Sequence, residues 1–409
     1  MAEPDRTALT YHYERWRAVA NGTLETAGTT FLLLIAVKWF NAGATAKAFV
    51  AGGGSMGLLL TPLVVSVVQS FGWPAAKAAS RLAAAGACCF LAMAAIPILP
   101  VFVVGSVLSM AASSSAIPLM TQVYQENYPE KKRGLFFSRT VMIRIGVAAS
   151  FSELAGRLLS LHIEFFRWLL LFFAAAFTIS SYCLSRCPSR PLTASQGSHP
   201  FRSLRFARDD RLFRQTLICW MLMGFANLMM LPMRIEYLGN PKYGLALSVG
   251  EIAFLTGVVP NSARLFLSPF WGWVFDRMNF FVLRMTLNVG FAIGILSFFT
   301  SNSVTGLIVG AIVYGISNAG GDVAWGLWVT KFAPPARVAD YMSAHTFFTG
   351  VRGVSAPLLA FHLVSTMSVG TLGLISAGLI LLATLMLAPE IKFGRRARPG
   401  AALVEEVSE

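Results

Sequence analysis

Five charged side chains stand well inside apolar stretches of this sequence: Glu25, Arg144, Arg264, Asp322 and Arg352. A charge at the centre of a membrane helix costs at least about 2.5–3.5 kcal/mol on insertion scales, so each needs a partner or a purpose. A carboxylate desolvated in a closing cavity holds its proton more tightly, and a neighbouring guanidinium loosens it again. Such a contrast can tie proton uptake at Glu25 or Asp322 to a change of conformation. Three arginines against two acids leave one spare positive charge. An anionic or carboxylate-bearing solute would use it, because guanidinium groups grip such oxygens through paired N–H donors. The competing reading is a set of fixed bridges that hold helices together. Buried ion pairs are poor stabilisers, which favours a functional role for the two acids.

Polar neighbours reinforce the pattern. Asn21 precedes Glu25 by four residues and Asn318 precedes Asp322 by four, so each pair shares one helix face. Trp325 follows Asp322 by three, and Asn227 interrupts another apolar run. Lys38, Glu153, Arg234 and Glu251 fall nearer the ends of apolar runs, where long side chains snorkel to the interface. His345 reads as a polar residue near a helix start. Gly52-Gly53-Gly54 has no preceding strand and no following Lys-Ser/Thr, so it reads as close helix packing rather than a phosphate loop. The five cysteines show no ligand spacing, which argues against a metal site or a disulfide framework. With no nucleotide motif and no nucleophile triad visible, the sequence points away from an enzyme, and no cofactor is expected.

The elements that position these residues follow from composition. Of 409 residues, 56% are hydrophobic and 13% charged, against roughly 45–50% and 25% in soluble chains. Water is the wrong solvent for such a chain. At about 20 residues per span, apolar runs predict twelve helices near 18–39, 46–71, 81–99, 101–124, 136–160, 167–185, 213–235, 248–275, 283–300, 304–329, 341–364 and 370–389. The start of the chain is polar and lacks a small-residue cleavage site, so the first run is expected to be a retained span. The expected architecture is an all-α polytopic membrane protein. Residues 1–185 form one six-helix bundle, 186–212 a cytoplasmic linker, 213–390 a second bundle, and 391–409 a cytoplasmic tail. Basic residues collect on cytoplasmic loops. With both termini cytoplasmic, 24 of the 33 lysines and arginines fall on that side. The net charge of +14 therefore speaks of topology and not of a nucleic-acid partner. A shift of 205 residues superposes Ala48-Phe49 on Ala253-Phe254, Gly105 on Gly310, Pro129 on Pro334 and Ser138 on Ser343. The halves are thus pseudo-symmetric, one of the recurring transporter plans.

Residues Gly272-Trp273-Val274-Phe275-Asp276-Arg277 end the eighth run, and Tyr128-Pro129-Glu130-Lys131-Lys132-Arg133-Gly134 follow the fourth, echoed by Pro334-Pro335-Ala336-Arg337. The first of these resembles the Gly-x-x-x-Asp-Arg/Lys loop of the major facilitator superfamily, with Asn279 where a glycine is usual. The equivalent first-half loop is more degenerate: Gln69 replaces the acid, while Gly72 and Lys77 remain. The resemblance implies that Gly72, Arg133, Gly272, Asp276, Arg277 and Arg337 take part in closing the cytoplasmic face. It also implies that helices 1, 4, 7 and 10 line a central cavity, which makes Glu25 and Asp322 cavity carboxylates. The function it implies is secondary transport of a small-molecule substrate by alternating access; coupling to protons is expected from the depth of Glu25 and Asp322 in their spans. The setting is a plasma membrane of the bacterial inner-membrane type, with lipid as the other partner and a monomer as the expected state. Two alternatives stay open: export of apolar drugs or lipids, and a non-transporting membrane sensor or assembly factor on the same scaffold.

Overall fold

A computed structural model describes residues 6–191, 200–301, 303–328 and 338–392. Among the described residues the regular structure is helical, apart from a single bridge between Pro74 and Pro191. In chain order, α1 (Arg6–Thr26) passes through a π-helical turn, Ala27–Phe31, into α2 (Leu32–Lys38). There follow α3 (Ala44–Ser70), α4 (Ala75–Ala95), α5 (Leu99–Ser115), α6 (Ile117–Asn127), α7 (Glu130–Leu161) and α8 (Phe166–Arg186). Then come α9 (Phe206–Asp209), α10 (Arg211–Gly239), α11 (Val249–Ala253), a second π-helical turn at Phe254–Val258, and α12 (Val259–Arg277). The last are α13 (Phe280–Thr300), α14 (Val304–Leu327), α15 (Val338–Leu363) and α16 (Val369–Leu387).

Among the described residues, eight helical segments are long and apolar enough to cross a membrane. The helices that carry Glu25, Arg144, Arg264 and Arg352, namely α1, α7, α12 and α15, are not among them. Interior charge lowers their mean hydropathy, so the elements richest in chemistry are the least lipid-like.

Prolines stand at two of the breaks. Pro118 lies at the start of α6 and cannot donate to a carbonyl one turn back, and the helix resets at Ala116 between α5 and α6. Pro260 stands just beyond the second π-helical turn, where the helix has already widened to do without that bond. The first helix begins at Arg6, well before the apolar run at 18. Its polar start is held by a closed triangle. Arg17 donates from Nε to Glu14 at 2.5 Å and from Nη2 to the Tyr124 hydroxyl at 2.6 Å, and that hydroxyl donates to Glu14 at 2.6 Å.

The chain divides into two compact units, Met1–Pro200 with Ile235–Val258, and Phe201–Arg234 with Val259–Glu409. The division falls inside α10. In the first unit α4 packs on α8, α3 on α5, and α1 on α7 and α8. Phe31, Phe90, Phe166, Phe173 and Phe177 fill its core. Ser80 and Ser181 each donate a hydroxyl to the other's carbonyl, at 2.8 and 2.9 Å, so α4 and α8 are joined by polar glue that lipid cannot supply. The same unit packs α11 on α7, where the Gly250 N–H donates to the Ser160 hydroxyl at 2.6 Å. Glu251 does not snorkel: it closes a capping box with Ser248 at the start of α11. In the second unit α14 packs on α12 and α13, and α13 on α16. Its core is aromatic, with Phe213, Trp220, Trp271, Phe281 and Trp328 all buried.

Candidate functional site

Within the first unit, Glu25 of α1 meets Arg144 of α7, Oε2 to Nε at 3.0 Å. Both side chains keep some solvent access, 18% and 36% respectively. Asn21 and Glu25 are half-buried, and Gly28 and Thr29 are exposed, while Gly22, Leu24 and Thr26 between them are buried. The more open residues sit at i, i+4, i+7 and i+8, which is one helical face. Thus α1 turns a polar stripe away from its own core and centres it on the ion pair.

The second unit repeats the arrangement. Arg264 of α12 donates from Nε to Asp322 of α14 at 2.5 Å, and from Nη1 to Asn261 Oδ1 at 3.2 Å. The arginine is 8% exposed and the aspartate 43%. Along α14, Asn318, Asp322 and Trp325 lie on one face and are at most half-buried, while Ala319, Gly320 and Ala324 are buried. The spacing of Asn318 and Asp322 puts both on the open side.

The remaining site residues go elsewhere. Asn227 lines a small cavity in the second unit together with Arg234 and Tyr314, between α10, α13 and α14. The Arg234 guanidinium lies 4.3 Å from the centre of the Tyr314 ring. Arg234 is buried there and does not reach outward as its place near the end of an apolar run suggested. Its Nη1 and the Asn227 Oδ1 have no hydrogen-bond partner. Arg352 is not beside Arg264 and Asp322. It donates from Nη1 to the Trp220 carbonyl of α10 at 2.5 Å. At that point α10 carries Gly224, where any Cβ would overlap the guanidinium. His345 is not at an interface but wholly buried, edge-on to Trp220 and Trp328.

Three strongly placed groups were not singled out from sequence. Arg284, one of the 24 bases that the sequence assigns to the cytoplasmic side, is buried on α13 with its guanidinium 3.9 Å from the centre of the Trp220 ring. Lys47 of α3 and Glu236 of α10 form a buried pair at 2.7 Å in the first unit. Asn240 also donates to Glu236 at 2.8 Å, and Lys242 stands 4.0 Å away. Burial beside Glu236 pushes the Tyr243 hydroxyl, in the turn that follows, well above the usual phenol range. A lysine and a glutamate each near the end of an apolar run were the available signal.

Of the residues expected to gate the cytoplasmic face, Gly72 has φ of +59° in the turn after α3, a conformation that favours glycine. Arg277 lies over the ring of its own helix neighbour Trp273, at 4.6 Å, and Gly272 has open space around it. Arg337 lies outside the described residues, as do the side chains of Arg133 and Asp276.

No family model matches the chain, and no curated protein matches it by sequence. Solved structures do. A point-mutant form of the nucleoside transporter NupG aligns at 16% identity over 93% of this chain and 98% of its own, with a TM-score of 0.73. The human organic anion transporter MFSD10 aligns at 15% identity over 94% and 100%, with a TM-score of 0.65. A D-xylose-proton symporter aligns at 15% over 94% and 95%, with a TM-score of 0.64. The chain has the fold of the major facilitator superfamily transporters over nearly its whole length, as the loop at 272–277 led one to expect. With its eight apolar helices, that is the fold of a multi-pass membrane protein.

Proposed function

We propose that this protein is a proton-coupled secondary transporter of a small anionic solute. In this reading twelve helices cross the membrane as two six-helix bundles, residues 1–185 and 213–390, with both termini cytoplasmic, and the bundles alternate access between the two sides. The observation that carries it is the recurrence, in each compact unit, of one carboxylate–guanidinium pair on the open face of a helix: Glu25–Arg144 and Asp322–Arg264.

Such a pair is a chemical exchange device. While Asp322 is ionised it occupies Arg264. A proton on Asp322 cancels that charge, and the guanidinium then takes a carboxylate or phosphate of the solute in its place. Proton and anion load together, and their charges offset one another at the moment the site leaves water. The excess of guanidinium in the second unit favours an anion over a cation as cargo: Arg234, Arg264, Arg284 and Arg352 are buried there, and of these Arg264 is paired with a carboxylate. Transporters of an organic anion and of xylose with a proton share the fold.

The test is uptake into proteoliposomes under an imposed proton gradient. Substrates are first found by thermal shift against carboxylates, phosphate esters and their neutral counterparts. Proton-driven uptake that survives in the Glu25→Gln, Asp322→Asn double variant removes the coupling scheme. Uptake of the neutral counterparts alone removes the anion.

A further inference from the structure

Protein interiors accept charge in pairs, and most of this chain obeys. Glu14 holds Arg17, Glu25 holds Arg144, Lys47 holds Glu236, and Arg264 holds Asp322. In the second unit Arg234, which lies over the Tyr314 ring, departs from the rule, and so does one cluster of three side chains. Arg284 from α13 and Arg352 from α15 both converge on Trp220 of α10, one over its ring and the other on its carbonyl. They are 2% and 8% exposed, and among the described residues no carboxylate pairs with either. Arg284 makes its other contact, from Nη2, with the soft sulfur of Met223 at 3.3 Å. His345 completes the group. It lies seven residues before Arg352, two turns along the same face of α15. Its ring is 5.5 Å from that of Trp220 and 5.1 Å from that of Trp328. It is 0% exposed, and neither ring nitrogen has a hydrogen-bond partner.

We propose that Arg284, Arg352 and His345 form a binding site for one small inorganic anion of halide size, held inside the second unit as a resident counter-ion. The donor set selects the ligand. Guanidinium groups carry only N–H donors, and an imidazole supplies one more. Every group therefore asks for an acceptor, and two fixed positive charges ask for a negative one. Size follows from packing: Trp220, Trp328 and Phe213 are stacked and buried around the cluster, which suits a monatomic ion better than an organic acid. Trp325, half-buried and 5.6 Å from His345, is three residues from the exposed Asp322. This site is separate from the Arg264–Asp322 pair, and it stands whether or not the solute carried there is anionic.

The experiment uses the full-length purified protein in gluconate buffer, titrated with chloride, bromide or phosphate while unfolding and tryptophan emission are followed. A ligand that binds only the folded protein raises Tm with the logarithm of its concentration, here by roughly 1–3 °C per tenfold for a chain of this size. Chloride and bromide are expected to do so and to change the emission. Arg352→Gln and Arg284→Gln are expected to lose both responses, while Arg264→Gln keeps them. Crystals soaked in bromide should give an anomalous peak among the three side chains, a readout that needs no variant to fold. The proposal is overturned by a Tm indifferent to halide, by halide responses undiminished in the two cluster variants, by a response to phosphate alone, or by bromide bound only elsewhere.

Discussion

Arg264 and Asp322 tie α12 to α14 in the second unit, with the arginine buried and the aspartate on the open face. The asymmetry matters chemically. A proton can reach Asp322 directly from solvent, whereas Arg264 cannot leave its place and must bond whatever replaces the carboxylate. Removing the acid therefore differs from removing the base. In Asp322→Asn the guanidinium is permanently available, so anion binding should persist while proton-driven accumulation is lost. In Arg264→Ala binding itself should weaken by about tenfold or more, in line with one charge-assisted hydrogen bond of ~1.5–3 kcal/mol. Titration of the identified anion against each purified variant at several pH values separates the two outcomes. Equal effects of both substitutions would reduce the pair to a structural bridge.

Glu236 predicts a different kind of loss. It is wholly buried against Lys47, with Asn240 and Lys242 beside it. Glu236→Leu would leave the Lys47 ammonium buried without its counter-charge, at a cost of about 3–5 kcal/mol. The double variant Lys47→Met, Glu236→Leu replaces the pair by apolar groups of similar volume and should recover most of that stability. Thermal unfolding of the three proteins in one detergent checks the order. A double variant as unstable as the single one would mean that the pair contributes more than mutual neutralisation.

These two pairs show how far residue types carry. Glu25, Arg144, Arg264 and Asp322 stand out because they interrupt apolar runs near their middles, and the 3.6-residue period puts Asn21 and Asn318 on the same faces. Lys47 and Glu236 sit near run ends, where sequence alone cannot tell a snorkelling side chain from a buried one. Arg284 misled for the same reason: a base shortly after a cytoplasmic motif looks like a loop residue, and only the position of Trp220 on another helix turns it inward. Fold type was legible through composition and period. Which helix face meets which neighbour depends on contacts between residues far apart in the chain, and Arg352 against Trp220 is 132 positions away.

Gly224 offers a test of that last contact. Any Cβ there would overlap the Arg352 guanidinium, which the Trp220 carbonyl holds at that point of α10. Gly224→Ala should therefore destabilise by about 1–3 kcal/mol, the usual cost of overpacking, despite the better helix propensity of alanine. In an Arg352→Gln background the shorter side chain relieves the overlap, so the penalty should shrink to a few tenths, and a double-mutant cycle reads the coupling directly.

Cys187 supplies a prediction outside the spans. Burial, reinforced by the negative charge of Glu14, pushes its thiol up to about 12. Alkylation needs the thiolate, so a raised value keeps the group protonated and unreactive until the solution is strongly basic. Maleimide labelling of Cys187 in the folded protein should stay negligible from pH 7 to 9, while the unfolded chain, with an ordinary thiol near ~8.5, labels quickly over the same range. Glu14→Gln removes one of the causes and opens the Glu14–Arg17–Tyr124 triangle, so labelling should begin at lower pH in that variant. Peptide mapping of the modified cysteines against pH makes the comparison. Labelling of native Cys187 at pH 7 as fast as in the unfolded chain would show that the end of α8 is open to solvent and not sealed by the start of α1.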